Sequence, residues 1–356
     1  MFDHLHYIPI LRWKRGEKVA LRELNPAQEA EITPLIELIP RNIMLRNDVI
    51  DIGSTAERFT NELNEYWGTD IIFIDFENIT RIGQTNSDAP LLREISRCAF
   101  DLNLNVIPVT TLYKDTLYQK VVKNFVSQHK NGICLRIIYS SILRSDFPTR
   151  LDKLLNNLNV GIDQTDLIID YGMIDNNPDI FSNICSHIPH VASWRSFTFA
   201  SGAFPRDLSD LAPGQHQIRR HDWIYWLYNM FHNKSERIPT YSDYTIQYPL
   251  YVEPPAGNNP SASIRYTSDD YWVIMRGEGL RNEGGTGHAQ YPANAQLLVG
   301  RTEFCGANFS YGDNYIIEKS TDLDTPHPGT PETWIRAGIN HHIAFVVQQL
   351  SRLVGP

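Results

Sequence analysis

Eight short apolar runs, separated by helix-like stretches, constrain this chain more than any other feature. They are Tyr7–Leu11, Ile32–Leu38, Ile71–Phe76, Asn105–Thr110, Ile133–Ile138, Leu167–Asp170, Arg195–Ala200 and Thr245–Leu250. Strand alternating with helix eight times is the pattern of an α/β fold closed as a TIM-like (β/α)8 barrel. Such a barrel takes roughly 250 residues, and the chain has 356. Residues 1–253 and 329–356 are therefore assigned to the barrel. Residues 254–328, opening on the loop-like EPPAGNNPSAS, are assigned to an insertion between strand eight and helix eight.

Local signals place the helices. Ser54, with Glu57 three residues on, has capping-box spacing and predicts a helix to Trp67. Others are expected over Ala89–Asn103, after Asp115, over Pro148–Leu158 and over Pro178–His187. The segment IRRHDWIYWLYNMFHN predicts helix seven, and the stretch after Pro331 predicts helix eight. Within 254–328, SIRYT and YWVIMRG are strand-like.

Composition excludes several classes. The chain is 42% hydrophobic with net charge −9, which gives no broad footprint for duplex DNA. No run approaches the roughly 20 apolar residues of a membrane span, and the N-terminus lacks a signal-peptide core. A cytoplasmic protein without membrane partners is expected. The four cysteines are scattered and form no CxxC pair, so free thiols are expected. GxSxG, HExxH, GxxxxGK[ST] and HxE…CxxC are all missing from the sequence.

A (β/α)8 barrel carries its working residues at the C-terminal ends of its strands. Charged residues cluster at such places here. Arg12 and Lys14 follow strand one, with Glu17 nearby, and Glu37 sits on strand two. Asp75 and Glu77 end strand three, Arg136 lies on strand five and Asp170 ends strand six. Lys14, Glu37, Asp75, Glu77, Arg136 and Asp170 are expected to converge on one polar pocket. Glu37, Asp75, Glu77 and Asp170 would suit Mg²⁺, or general acid and base work. Lys14 and Arg136 would neutralise a phosphate or carboxylate, as in a nucleotide. The competing reading is an ion-pair layer that seals the mouth. Arg195 opens strand seven, and His341 and His342 adjoin on the last helix. Neighbouring helical residues point about 100° apart, so this pair does not have metal-ligand spacing.

YIPILRWKRGEKVAL, ITPLIEL, IDFEN, the pair RYT…WVIMRG and the ending ETWIRAGINHHIAFV together resemble the Beta protein family across nearly the whole chain. The residues that carry the resemblance include Lys14, Gly16, Glu17, Glu37, Asp75, Arg276, Trp334, Asn340, His341 and His342. The family occurs in prophages, satellite phages and bacterial defence islands. It includes the Beta component of the three-gene Gop–Beta–CII anti-phage system, in which Beta is implied to restrain or trigger a toxic partner. The resemblance implies a defence regulator or sensor with a protein partner from the same operon. It supplies no catalytic residues. The alternative read from the residues is a metal-dependent phosphodiesterase or nuclease built on the strand-end carboxylates.

Overall fold

Seven of the eight apolar runs form barrel strands where the sequence places them, and the eighth strand lies just upstream of its run. The computed structural model describes residues 2–81, 87–174, 180–232, 236–255 and 257–353. The barrel strands are β1 (Tyr7–Arg12), β2 (Leu35–Glu37), β3 (Ile72–Asp75), β4 (Val106–Thr110), β5 (Ile133–Ile138), β6 (Thr165–Met173), β7 (Ser196–Gly202) and β8 (Thr240–Asp243). All pair in parallel, and β8 returns to β1 through Tyr7 opposite Tyr241, which closes the barrel.

Strand eight corrects the expectation of Thr245–Leu250. Thr245 adopts φ +57°, a left-handed backbone that a strand does not hold. Its N–H donates to Asp243 Oδ1 at 2.9 Å, so the chain turns out of the sheet there. The true strand reads TYSD, and its polar groups are satisfied internally. Ser242 donates to the Ile8 carbonyl and Tyr241 to Asp243.

Side-chain alternation divides each strand between two cores. Ile8, Ile10, Leu35, Phe73, Ile107, Val109, Cys134, Ile168 and Ala200 fill the barrel interior. Residues of opposite parity, such as Leu11, Ile36, Ile74, Leu135 and Ile169, face the surrounding helices. The helix Ile52–Tyr66 is capped by Asp51, which accepts from the Ser54 N–H at 3.0 Å; Ser54 is not itself the cap. Asp115 caps Thr116–His129 as expected. The Pro178–His187 helix is seen over Ile180–His187, and its expected start lies outside the described residues.

The expected helix seven is split. Gly214–Arg219 is a strand, and only His221–His232 is helical. That strand joins Ile264–Thr267 and Tyr271–Arg276 in a three-stranded antiparallel sheet. The small sheet thus draws on the β7–β8 connection as well as on the segment after β8. Its core is Ile264, Tyr266, Val273 and Met275 packed on Tyr291, Leu298, Ile316 and Trp334. Sequence reading did not anticipate the helix Tyr311–Ser320. Cys98, Cys134 and Cys305 are free thiols. Among the described residues no helix is long and apolar enough to cross a membrane.

The last helix, Pro331–Ser351, is buried on most of its circumference. Ile339, Ile343 and Val346 join the barrel's outer core, while Trp334 joins the core of the small sheet. Gly338 makes this double packing possible. A Cβ there would lie 2.7 Å from the Arg265 carbonyl oxygen and 2.7 Å from Ile246 Cδ1. Gly338→Ala is expected to destabilise the fold by about 1–3 kcal/mol through overpacking. Denaturant unfolding checks this, and an unchanged midpoint would refute the close approach.

Candidate functional site

The interior parity of the barrel builds the mouth. Leu35, Phe73, Cys134 and Ile168 point inward. Two residues further along the same strands come Glu37, Asp75, Arg136 and Asp170, so the four share the next interior layer. Register sets Arg12 opposite Glu37 and Glu37 opposite Asp75, while on β5 and β6 Arg136 stands opposite Ile168 and Asp170 opposite Ile138, so the Arg136 side chain spans the offset.

Arg136 is the centre of this layer. Its Nη1 donates to Glu37 Oε1 at 2.9 Å and to Asp75 Oδ2 at 2.7 Å. Its Nε and Nη2 donate to Asp170 Oδ2 at 2.9 and 2.7 Å. Nη2 also reaches the Tyr244 hydroxyl at 2.8 Å, and that hydroxyl donates to Asp170 at 2.6 Å. The remaining carboxylate oxygens are also engaged. Asn78 Nδ2 donates to Glu37 Oε2 at 3.1 Å, the Glu77 N–H to Asp75 Oδ1 at 2.9 Å, and the Gly172 N–H to Asp170 Oδ1 at 2.8 Å. Burial opposes the Arg136 charge, but Tyr244 and the three carboxylates hold its pKa well above the ordinary arginine value. Tyr244 was not singled out by sequence reading, because the misplaced eighth strand hid its position one residue past β8.

The other expected members of the pocket stand apart. The Glu77 side chain is half exposed and pairs with Lys114 Nζ at 3.4 Å. Arg12 reaches Glu37 at 3.7 Å. It also donates to Gln247 and to the carbonyls of Tyr248 and Pro249, and so pins the segment after β8 across the top of β1. Lys14 and Glu17 line a side cleft with Arg12. Glu17 accepts from Gln247 Nε2 at 2.9 Å, and burial raises its pKa. Arg195 is at the opposite end of the barrel, bound to Asp166 and the Asn131 carbonyl, which corrects its expected place at the mouth. Arg276 ends a strand of the small sheet and donates to the Leu208 carbonyl, also away from the mouth layer. Among the described residues no three His, Cys, Asp or Glu side chains form a metal-ligand group.

The two histidines diverge as helical geometry requires. Both are fully buried. His342 Nε2 meets Asp243 Oδ2 at 2.9 Å, and its Nδ1 meets Thr267 Oγ1 at 2.8 Å. His341 Nδ1 meets Asp313 at 2.8 Å, and its Nε2 meets the Thr267 carbonyl at 2.9 Å. Asp243 also accepts from Tyr7 at 2.5 Å. Burial lowers the His342 pKa against the opposing pull of Asp243. Nearby Asp222 is buried with no hydrogen-bond partner on Oδ2. Burial, reinforced by Asp243 and opposed by Arg220, raises its pKa to about 7.

A (β/α)8 barrel with an ion-paired mouth and an inserted sheet is the class of protein these features define. The chain belongs to the Beta protein family, whose model matches residues 7–348. No curated protein matches it significantly.

Two outcomes are expected at the site. Arg136→Met leaves Glu37, Asp75 and Asp170 uncompensated and should cost about 3–5 kcal/mol at neutral pH. Thermal unfolding of the variant beside the parent reads this, and an unchanged midpoint would refute the central role of Arg136 in the layer. For Asp222 the folded pKa of about 7 exceeds the unfolded 3.8. Its ionisation therefore destabilises the fold progressively as pH rises from the unfolded toward the folded value. Asp222→Asn should stabilise more at pH 8 than at pH 5, by about 2–3 kcal/mol. An equal gain at both pH values would refute the buried titration.

Proposed function

We propose that this protein is a cytoplasmic regulator or sensor in anti-phage defence, controlling a toxic protein partner encoded beside it. The observation that carries this reading is the saturated mouth layer. The guanidinium of Arg136 spends all its donors on Glu37, Asp75, Asp170 and Tyr244. Every oxygen of those carboxylates is hydrogen-bonded. Carboxylates satisfied in this way hold a surface in shape, and a metal would have to displace Arg136 to use them. The phosphodiesterase alternative built on Glu37, Asp75, Glu77 and Asp170 is correspondingly less favoured.

The mouth face also offers apolar surface. Ile138 and Met173, the last residues of β5 and β6, and Tyr113 and Leu143, in the segments that follow β4 and β5, are 40–55% exposed. Tyr113 bonds Ser141 at 3.1 Å, which brings two of these segments together. Exposed apolar groups gathered on one rim suit a protein interface. Family membership supports the defence setting and the toxic partner.

Affinity capture with the products of adjacent genes tests this. The expected result is copurification of a toxic neighbour, reduced about tenfold or more by Ile138→Asp or Met173→Asp, substitutions on exposed positions that leave folding intact. Failure to copurify under all conditions, together with unchanged phage protection in both variants, would overturn the reading.

A further inference from the structure

We propose that the cleft between the end of β1, the helix Arg15–Arg22 and the segment after β8 is a binding site for a nucleotide carrying two or more phosphates. The cleft encloses about 740 Å³, within the range of small-ligand sites of roughly 300–1,000 Å³. Its walls carry eight lysines and arginines against three glutamates. The chain as a whole has 32 basic and 41 acidic residues, so the cleft reverses the sign of the molecule.

Pairing within the cleft leaves positive charge over. Glu62 is taken by Lys18 at 2.9 Å, and Glu332 by Arg336 at 2.8 Å. Glu17 accepts from Gln247 Nε2 and lies close to Lys14. Lys14, Arg15, Arg58, Arg206 and Arg265 have no carboxylate at ion-pair distance among the described residues. Arg265 is the sharpest case. Its guanidinium lies over the Phe204 ring at 4.6 Å and donates to the Ile246 carbonyl, with no acid beside it. Burial lowers its pKa to about 10 and also lowers that of Lys14. A desolvated cation with no anion in contact is unfavourable; a bound phosphate would relieve Arg265 of that and add to the attraction that Glu17 and Glu253 exert on Lys14.

Backbone geometry adds a second attraction. Lys14 is the N-cap of the Arg15–Arg22 helix and makes no side-chain cap. Residues 14–17 line the cleft, so the first turn of this helix borders it, with the Glu17 carboxylate accepting from its own backbone N–H. A helix N-terminus of this kind attracts phosphate. Leu250, Val252, Pro254 and Ile335 add apolar patches to the lining, and the Tyr251 ring lies against Lys14. A cationic lining interleaved with apolar and aromatic surface fits a nucleotide better than a free polyphosphate.

Calorimetric titration of the full chain, in EDTA and without any partner protein, tests the proposal. The probes are ATP, GTP, inorganic triphosphate and a single-stranded oligonucleotide. A nucleoside triphosphate should bind, weaken with added salt, and bind about tenfold more tightly than inorganic triphosphate. Lys14→Gln and Arg206→Ala should each weaken it about tenfold. Arg206 is exposed, so its variant stays informative if Lys14→Gln fails to fold. No binding at millimolar nucleotide, or binding unchanged in the Arg206 variant, would overturn the site. Triphosphate binding as tightly as nucleotide would overturn the nucleotide assignment, and tighter oligonucleotide binding would overturn the small-ligand one. Because no partner is present, a negative result here leaves the regulator reading standing, and failed partner capture leaves the cleft standing.

Discussion

The rest of the mouth depends on one guanidinium. Arg136 draws Glu37, Asp75 and Asp170 from three other strands into contact with a single planar fork. Without it, interior parity would stack three carboxylates in one poorly hydrated layer. Like charges so close would repel one another and splay the strands apart. With it, the strand ends are tied across the barrel as well as around it. The apolar layers below can then close without a void, since the layer above is filled by satisfied polar groups.

Arg12 extends this order outward. It touches Glu37 on one side and the Tyr248 and Pro249 carbonyls on the other. The central layer and the lateral cleft are therefore neighbours that share a side chain. The centre is neutralised internally, whereas the cleft retains excess positive charge. That contrast divides the C-terminal face into a part that holds shape and a part that can attract an anion.

Much of this was legible in the sequence, and the failures have physical causes. Apolar runs exposed seven strands because parallel strands buried on both faces read as continuous apolar stretches. Strand eight escaped because TYSD looks like a turn. Its polar atoms are matched by Tyr7, His342 and the Ile8 carbonyl, residues remote in sequence. Glu37, Asp75, Arg136 and Asp170 were visible as strand-end charges, each two positions beyond an inward apolar residue. Their mutual pairing was not visible, because one-dimensional spacing does not distinguish carboxylates around a metal from carboxylates around an arginine. Arg195 was misplaced for a simpler reason. It begins its strand, and a strand's start lies at the opposite end of the barrel from the mouth.

Thr267 joins the inserted sheet to the barrel's last helix in an unusual way. Its carbonyl meets His341 and its hydroxyl meets His342, and His342 in turn holds Asp243 at the end of β8. One residue of the small sheet is thus gripped by two adjacent residues of the helix that completes the barrel. The insertion is consequently no detachable module. Its polar interior is completed by the barrel, and the barrel's last strand is completed through it. Sequence change on either side of this seam is constrained by the other, which makes the insertion a part of the fold's own architecture and not an ornament carried on it.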